Sequence, residues 1–307
     1  MVRLKNEEMK KTLLLIVPFL IILSPLIGQK KTDEPNLKKG IKTETISKYR
    51  IEGNSYELNK ILKEKTIRKY DSNGNEIEYL QYLDLADYEE FKVTTKYDSD
   101  GKKVESSSQF DKTIYKYDSN GNMIDGSSYH HNGRINIELT FRYDSDGSMV
   151  EERKRWRASV KKRIYKYDSN GNMVEFSDYD IENKFVRKRI YKYDSNGNEV
   201  EESAYESDRE LFWKHITKYG SDGNRVELLS YDSEDALSFK YIYKYDFNGN
   251  MVEVLSYDSD GSLDSKTIYK YDSKNRRIEE TKYKFESKFG ELQQTPTEKT
   301  TYEYEEY

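Results

Sequence analysis

Short runs of alternating apolar and polar residues recur along most of the chain, and each pair of runs flanks one polar segment, Lys-Tyr-Asp-x-x-Gly-Asn. Most successive copies of this segment are 26 residues apart. Alternation with a period of two predicts β-strands, and a fixed long period predicts one structural unit repeated many times. The anchor tyrosines of the copies are Tyr70, Tyr97, Tyr117, Tyr143, Tyr167, Tyr193, Tyr219, Tyr245 and Tyr271.

The polar segment predicts a hairpin turn. Asp at its first position followed by a glycine suits a type I turn that is closed by a residue in the left-handed region. Asn275 replaces the glycine in the last copy and also tolerates that backbone conformation. This turn predicts Tyr117 opposite Met123 and Lys116 opposite Ile124. The glycines are Gly74, Gly101, Gly121, Gly147, Gly171, Gly197, Gly223 and Gly249.

A second aromatic residue follows each anchor by 12 or 13 positions, as Tyr257 does, and several of these residues begin a second turn of the same kind. Each unit therefore contains two strands and two turns. With a degenerate first copy at Tyr49, ten units predict an all-β protein. We expect an antiparallel meander of about twenty short strands built from hairpin repeats.

Strand alternation predicts two different faces. We define the lysine face by the lysine before each anchor, and we expect the isoleucine three residues before most anchors and the Val or Ile seven after them to lie there. We define the tyrosine face by the anchors, and we expect the second aromatics there too. It should also hold an acidic residue eight positions after each anchor: Glu78, Glu105, Asp125, Glu151, Glu175, Glu201, Glu227, Glu253 and Glu279.

So many twisted strands cannot form a flat sheet, because each strand rotates by about 20–25° relative to its neighbour. We expect a coiled or barrel-like sheet with the tyrosine face inside. Lys299–Tyr304 repeats the strand pattern after a longer loop that carries Pro296, so we expect it to form the C-terminal edge.

The N-terminus predicts export. Lys10 and Lys11 precede the apolar run Thr12–Ile27, and Gly28 follows it, which is typical of a signal peptide. The alternative is a membrane anchor, but the run is shorter than the roughly 20 residues that span a bilayer, and Pro18 and Pro25 interrupt it. We expect residues 1–28 to be a signal peptide, 29–47 a linker and 48–307 the repeat domain. The cleaved protein would have no membrane span and would lie in the periplasm, on the outer surface or outside the cell.

The unit Tyr-x-Tyr-Asp-x-x-Gly-Asn, clearest at Tyr243–Asn250, resembles the YD repeats of the Rhs family of bacterial surface and toxin proteins. The resemblance covers about residues 48–307. It implies a long β-sheet shell and a surface location, and carbohydrate binding has been proposed for such repeats. It does not imply toxicity, because the last residues predict another strand rather than an effector domain.

Composition modifies this interpretation in three ways. Hydrophobic residues make up 35% and charged residues 36% of the chain, and mean hydropathy is −1.03, which is close to the range of disordered proteins. The 29 Tyr and only 4 Pro instead favour a thin sheet that water reaches on one or both faces. The absence of Cys excludes disulfides and thiol chemistry, and a net charge of −5 argues against nucleic acid as a partner.

The candidate chemistry is weak. Asp-Ser-Asn-Gly-Asn turns contain calcium-type ligands, but their spacing differs from that of an EF-hand, and Asp and Asn also stabilise turns by themselves. His130, His131 and His215 form no metal motif or catalytic triad. Acids at one phase of a repeat do not resemble the two distinct carboxylates of a glycosidase. We expect no enzyme activity, no cofactor and no metal.

Two functions from different classes remain. The first is an exported scaffold that offers an extended surface to a protein partner or to the cell envelope. The second is a glycan-binding module, for which Trp156 and Trp213 are the candidate stacking residues. Arg155 and Arg157 flank Trp156 in a basic segment and are candidates for an anionic ligand.

Overall fold

The computed structural model describes residues 38–53, 58–83, 90–156, 159–207, 210–288 and 291–307, and none of these residues is helical. Accordingly, this part of the chain contains no helix that is long and apolar enough to cross a membrane. The strands are β1 (Ile41–Gly53), β2 (Leu58–Tyr70), β3 (Glu76–Leu83), β4 (Glu90–Tyr97), β5 (Lys103–Ser108), β6 (Asp111–Tyr117), β7 (Met123–His130), β8 (Ile135–Tyr143), β9 (Met149–Trp156), β10 (Ser159–Tyr167), β11 (Met173–Tyr179), β12 (Phe185–Tyr193), β13 (Glu199–Tyr205), β14 (Leu211–Tyr219), β15 (Arg225–Asp232), β16 (Leu237–Tyr245), β17 (Met251–Asp258), β18 (Leu263–Tyr271), β19 (Arg277–Lys288) and β20 (Glu291–Glu306).

The twenty strands form a single antiparallel meander that closes on itself. Each strand pairs with the one before it and the one after it, and β20 also pairs with β1. The predicted all-β class, the strand number and the barrel-like closure are confirmed. Closure leaves no free strand edge in the ring, because β1 and β20 satisfy each other's backbone groups.

The seam, where β20 pairs with β1 and closes the barrel, differs from the sequence-based expectation. Lys299–Tyr304 is not an edge, because β20 lies between β19 and β1. Pro296 lies inside β20 opposite Tyr283, where the register shifts. β1 begins at Ile41, so the sheet includes residues 41–47, which the pattern assigned to the linker. The strand also continues past Tyr49, so no turn follows that residue directly. The predicted signal peptide lies outside the described residues.

The turns have the predicted geometry. In the turn after Tyr117, the backbone N–H of Gly121 donates to the carbonyl oxygen of Asp118 at 3.1 Å, and Gly121 has a φ of 87°. Asn275 takes the corresponding position with a φ of 59°. The expected exchange of Gly for Asn at a left-handed position is therefore confirmed.

A β-bulge follows every one of these nine turns and changes which side chains share a face. Tyr117 pairs with Met123 as expected, but Lys116 pairs with Asp125, and Ile124 is the extra residue between them. The predicted pairing of Lys116 with Ile124 is wrong, because a bulge inserts one unpaired residue and reverses the alternation beyond it. The other anchor hairpins shift at the same place.

The bulge moves the repeated acids to the lysine face, as at Lys166 and Glu175. It does the same for many second aromatics, since Tyr179 pairs with Lys162. Both groups were predicted on the tyrosine face. Side chains on the tyrosine face are the more buried: Tyr165 is 3% exposed, whereas the side chain of Lys166 on the lysine face is 62% exposed.

The tyrosine face is the inner face of the barrel, because side chains converge inside a closed sheet and diverge outside it. Its buried residues form two clusters within the sheet, one around Phe141 and one around Phe176. The hydrophobic core is therefore a thin layer of side chains packed along neighbouring strands.

Candidate functional site

The anchor tyrosines link neighbouring hairpins on the inner face. The hydroxyl of Tyr167 donates to the carbonyl oxygen of Met149 at 2.9 Å, and Met149 is the residue six positions after the preceding anchor. Tyr304 of β20 makes the equivalent bond to Arg277 and so acts as a further anchor. The same bond is made by Tyr97, Tyr117, Tyr143, Tyr193, Tyr219 and Tyr271.

A second set of contacts lies beside the pairing of β1 with β20. Glu44 is buried in β1 and accepts hydrogen bonds from the Tyr70 hydroxyl at 3.0 Å and from Lys38 Nζ at 2.6 Å. The hydroxyl of Tyr307 in turn donates to the carbonyl oxygen of Tyr70. Burial and the nearby Glu44 carboxylate both raise the pKa of Tyr70. The Tyr307 bond joins the C-terminal residue to β2, and Glu44 joins β2 to β1.

On the lysine face, the repeated acids lie between pairs of lysines. Glu105 lies 2.9 Å from Lys96 Nζ and 2.6 Å from Lys112 Nζ. Hydrogen bonds from Lys112 and Lys96 lower the pKa of Glu105 to about 2. Glu78 and Glu279 are held in the same way. Lysines also lie over the second aromatics, 4.9 Å from the ring centroid for Lys162 and Tyr179.

The carboxylates of the turn aspartates accept hydrogen bonds from groups of their own turns. Asp168 accepts hydrogen bonds from the backbone N–H groups of Asn170 and Asn172, each at 2.9 Å, and from Asn172 Nδ2 at 3.0 Å. These bonds lower the pKa of Asp168. Over the described parts of the chain, no group of three or more His, Asp or Glu side chains is placed to share a metal ion.

The most distinctive feature of the inner face is an aromatic row, which we define as Trp213, His215, Phe239, Tyr241 and Tyr243. Trp213 and His215 stack at 4.1 Å between ring centroids, and the following centroid distances are 6.0, 5.2 and 6.4 Å. The row crosses from β14 to β16 over the buried Ser230 of β15, which pairs with both His215 and Phe239. A small residue at that position lets the flanking rings meet. The rings themselves are half-buried.

Charged groups lie beside one end of the aromatic row. The guanidinium of Arg189 lies 5.2 Å from the Trp213 ring and donates to Glu202 at 2.8 Å, while His215 Nδ1 lies 3.7 Å from Glu202. Burial opposes ionisation of Glu202, but hydrogen bonds from His215 and the charge of Arg189 outweigh it and lower its pKa. Rings next to fixed donors and acceptors can hold the apolar face and the hydroxyls of a sugar.

The structure does not bring the predicted ligand residues together. Trp156 also lies on the inner face, but it is five strands from Trp213, or roughly 24 Å at ~4.8 Å per strand. Arg155 lies on the opposite face, 3.5 Å from Glu138. Arg157 lies outside the described residues. The basic segment is thus divided between two faces by strand alternation.

Sequence reasoning missed Phe239, Arg189 and Glu202 as neighbours of Trp213. Arg189 and Phe239 lie an even number of residues before an anchor tyrosine, so simple alternation could have placed both on the tyrosine face. Glu202 lies beyond the bulge of its strand, and only the corrected register places it there.

Comparison with known proteins gives limited information. No protein-family model and no curated protein matches the sequence. Among solved structures, the chain is similar to a porin-like protein from Bacteroides uniformis, at 10% identity and a TM-score of 0.41, over 87% of this chain and 99% of that one. It is also similar to a chain in a structure of the Photorhabdus luminescens Tc holotoxin pore, at 9% identity and a TM-score of 0.18. A TcdB2-TccC3-Cdc42 structure gives the same TM-score at 10% identity.

This chain spans only about a fifth of the two toxin chains, matching 20% and 19% of their lengths. The structural neighbours thus include toxin chains and a porin-like protein, and the resemblance to YD repeats has no support from a family match. Because all three TM-scores are low, the proposals below rest on the residues of this chain alone.

Proposed function

We propose that this protein is an exported, non-catalytic scaffold of the cell envelope or cell surface, whose closed barrel offers a rigid surface to a protein partner or an envelope component. The observation that carries the proposal is the use of the repeated polar groups for structure. The Tyr167 hydroxyl holds the Met149 carbonyl, Glu105 lies between two lysines, and Asp168 closes its own turn.

The electrostatics of the repeated acids on the lysine face also support a structural role for these acids. A general acid at neutral pH needs a carboxyl group with a raised pKa, but paired lysines lower the pKa of Glu105 to about 2. Glu78 and Glu279 have lowered pKa values for the same reason. These carboxylates stay ionised and bound to lysine at neutral pH, as expected for groups that stabilise a surface.

The test of export uses the full-length chain produced in a bacterium. We expect a mature protein that starts near Gln29 and lies in the envelope or medium, which N-terminal sequencing of the fractionated protein would show. A protein recovered from the cytoplasm with residues 1–28 intact would contradict the proposal. Cross-linking of the exported protein then identifies its partner.

A second candidate function is glycan binding on the inner face, favoured by the aromatic row with Arg189 and Glu202 beside it. The test is binding of the purified protein to a broad glycan panel, with and without EDTA. If this function holds, Trp213→Ala abolishes a saturable signal, whereas the control Trp156→Ala, on the same face but far from the row, leaves it unchanged. Equal loss in both variants, or no signal from a cooperatively folded protein, would contradict glycan binding by the row.

A further inference from the structure

The two ends of the barrel have different side chains. The anchor turns form one end, which we call the anchor rim, and the turns that follow the second aromatics form the other, which we call the variable rim. Anchor turns are short and polar, although Phe247 replaces their usual serine and is 97% exposed. At the variable rim, large apolar side chains are 42–58% exposed, whereas the bulge residues next to the anchor turns, such as Ile124, are 36–39% exposed. Those of the variable rim are Phe110, Ile135, Trp156, Ile181 and Phe212.

The variable rim is also divided by charge. Around the turns between β7 and β12, cations outnumber anions, and we call this part the basic sector. Around the turns between β13 and β18, anions outnumber cations, and we call this part the acidic sector. The exposed cations of the basic sector include Arg134, Arg155, Lys161 and Lys184, and the exposed anions of the acidic sector include Glu206, Glu234, Asp235 and Asp260.

Some of these charges are already paired locally. Lys184 lies 2.5 Å from Glu182, and Lys214 lies 2.5 Å from Asp235. Pairs between exposed side chains are weak and readily exchange partners. The imbalance of charge between the two sectors therefore remains available to an opposing surface.

We propose that two copies of this protein associate through their variable rims. A two-fold axis in the plane of the rim, passing between β12 and β13, would place the basic sector of each copy on the acidic sector of the other. It brings the turn with Ile181 and Lys184 to the turn with Glu206. It also brings Arg155 to Glu234, and the turn with Arg134 to the turn with Asp260. Self-complementarity of this kind is what a two-fold interface requires.

The exposed apolar side chains fit the same arrangement. Ile181 in the basic sector comes opposite the hairpin that carries Phe212, so that the two side chains can shield each other from water. The strands β7 to β18 that carry the two sectors are all seven to nine residues long, so contact at one pair of their turns brings the neighbouring pairs within reach, and the longer hairpins β1–β2 and β19–β20 lie outside both sectors. An anionic membrane would attract only the basic sector and would repel the acidic sector beside it, which favours a second copy as the occupant.

The experiment is sedimentation equilibrium of the purified mature protein, which lacks residues 1–28, at low and high salt. One variant carries Arg134→Glu and Arg155→Glu, and the other carries the changes Glu234→Lys and Asp260→Lys at the positions that these two arginines face. We expect a dimer of the unmodified protein that salt weakens, and an increase in the dimer dissociation constant of at least about tenfold for each variant alone, because like charges then face each other. An equimolar mixture of the two variants should dimerise again, since each supplies the charge that the other lacks.

The matched control is Asp100→Lys. Asp100 occupies the same position in an Asp-Ser-Asp-Gly turn as Asp260 does, but at the anchor rim, so the control should dimerise normally. Thermal melts confirm that each variant is folded. A monomeric unmodified protein, unchanged dimerisation of a folded variant, or failure of the mixture to associate would each overturn the proposal. So would binding to phosphatidylglycerol vesicles by a monomer, lost with Arg134→Glu and Arg155→Glu.

Discussion

The Tyr167 hydroxyl lies 2.9 Å from the Met149 carbonyl oxygen, and this bond holds the bulge of one hairpin against the last strand residue of the next. The same pair of positions is joined in most units and again at Tyr304. Repeats that are thin and polar are thus connected by half-buried side-chain hydrogen bonds as well as by strand pairing.

Removal of one such hydroxyl should weaken the whole barrel. We expect Tyr167→Phe to lower the free energy of unfolding by about 1 kcal/mol, because a half-buried carbonyl oxygen loses its donor. The measurement is urea denaturation followed by circular dichroism. Tyr179→Phe is the control, since Tyr179 lies on the lysine face under Lys162. Equal losses in the two variants would show that the bond to Met149 contributes nothing specific.

The barrel should lose stability in alkali. Burial is the main cause that raises the pKa values of Tyr97, Tyr143, Tyr193 and Tyr304 to about 12, whereas the unfolded value is about 10. A raised pKa in the folded state means that the stabilisation is complete below pH 10 and is lost as pH rises through 12. Tyrosinate absorbance during a pH titration measures this. A titration midpoint near 10 for all 29 tyrosines in the folded protein would contradict the burial of the anchors.

The bulge can be tested with cysteines, because the chain contains none. We expect Lys116→Cys with Asp125→Cys to form a disulfide on mild oxidation, since these positions are cross-strand partners. Lys116→Cys with Ile124→Cys is the control and should stay reduced. Faster oxidation of the control pair would contradict the bulge and would show the register that simple alternation predicts.

The stability of the barrel should be sensitive to Glu44, which joins β1 to β2. Replacement by alanine removes the acceptor for Tyr70 and Lys38, and each hydrogen bond to a charged group contributes roughly 1.5–3 kcal/mol. We expect Glu44→Ala to lower the free energy of unfolding by about 3 kcal/mol in a denaturation experiment. Glu305→Ala is the control, because its pair with Lys42 is exposed and should contribute less than about 1 kcal/mol. A smaller effect at Glu44 than at Glu305 would mean that the buried contacts of Glu44 stabilise the barrel no more than an exposed pair does.

Local features were determined by the sequence itself. The turns of type Asp-x-x-Gly, the strand count, the meander order and the left-handed position of Asn275 all depend on residues within a few positions of each other. Such features follow from backbone sterics and short-range hydrogen bonds, which a single repeat already contains.

The assignment of side chains to faces was decided only by the tertiary structure. A bulge adds one residue, Ile124 in the third anchor hairpin, without any sign in the apolar pattern, and the positions beyond it lie on the face opposite to that given by simple alternation. Closure through β1 and β20 joins residues more than 250 positions apart, such as Glu44 and Tyr304, and depends on the accumulated twist of all twenty strands. The separation of Trp156 from Trp213 follows from the same ring, because distance around a closed sheet is set by strand order and not by residue type.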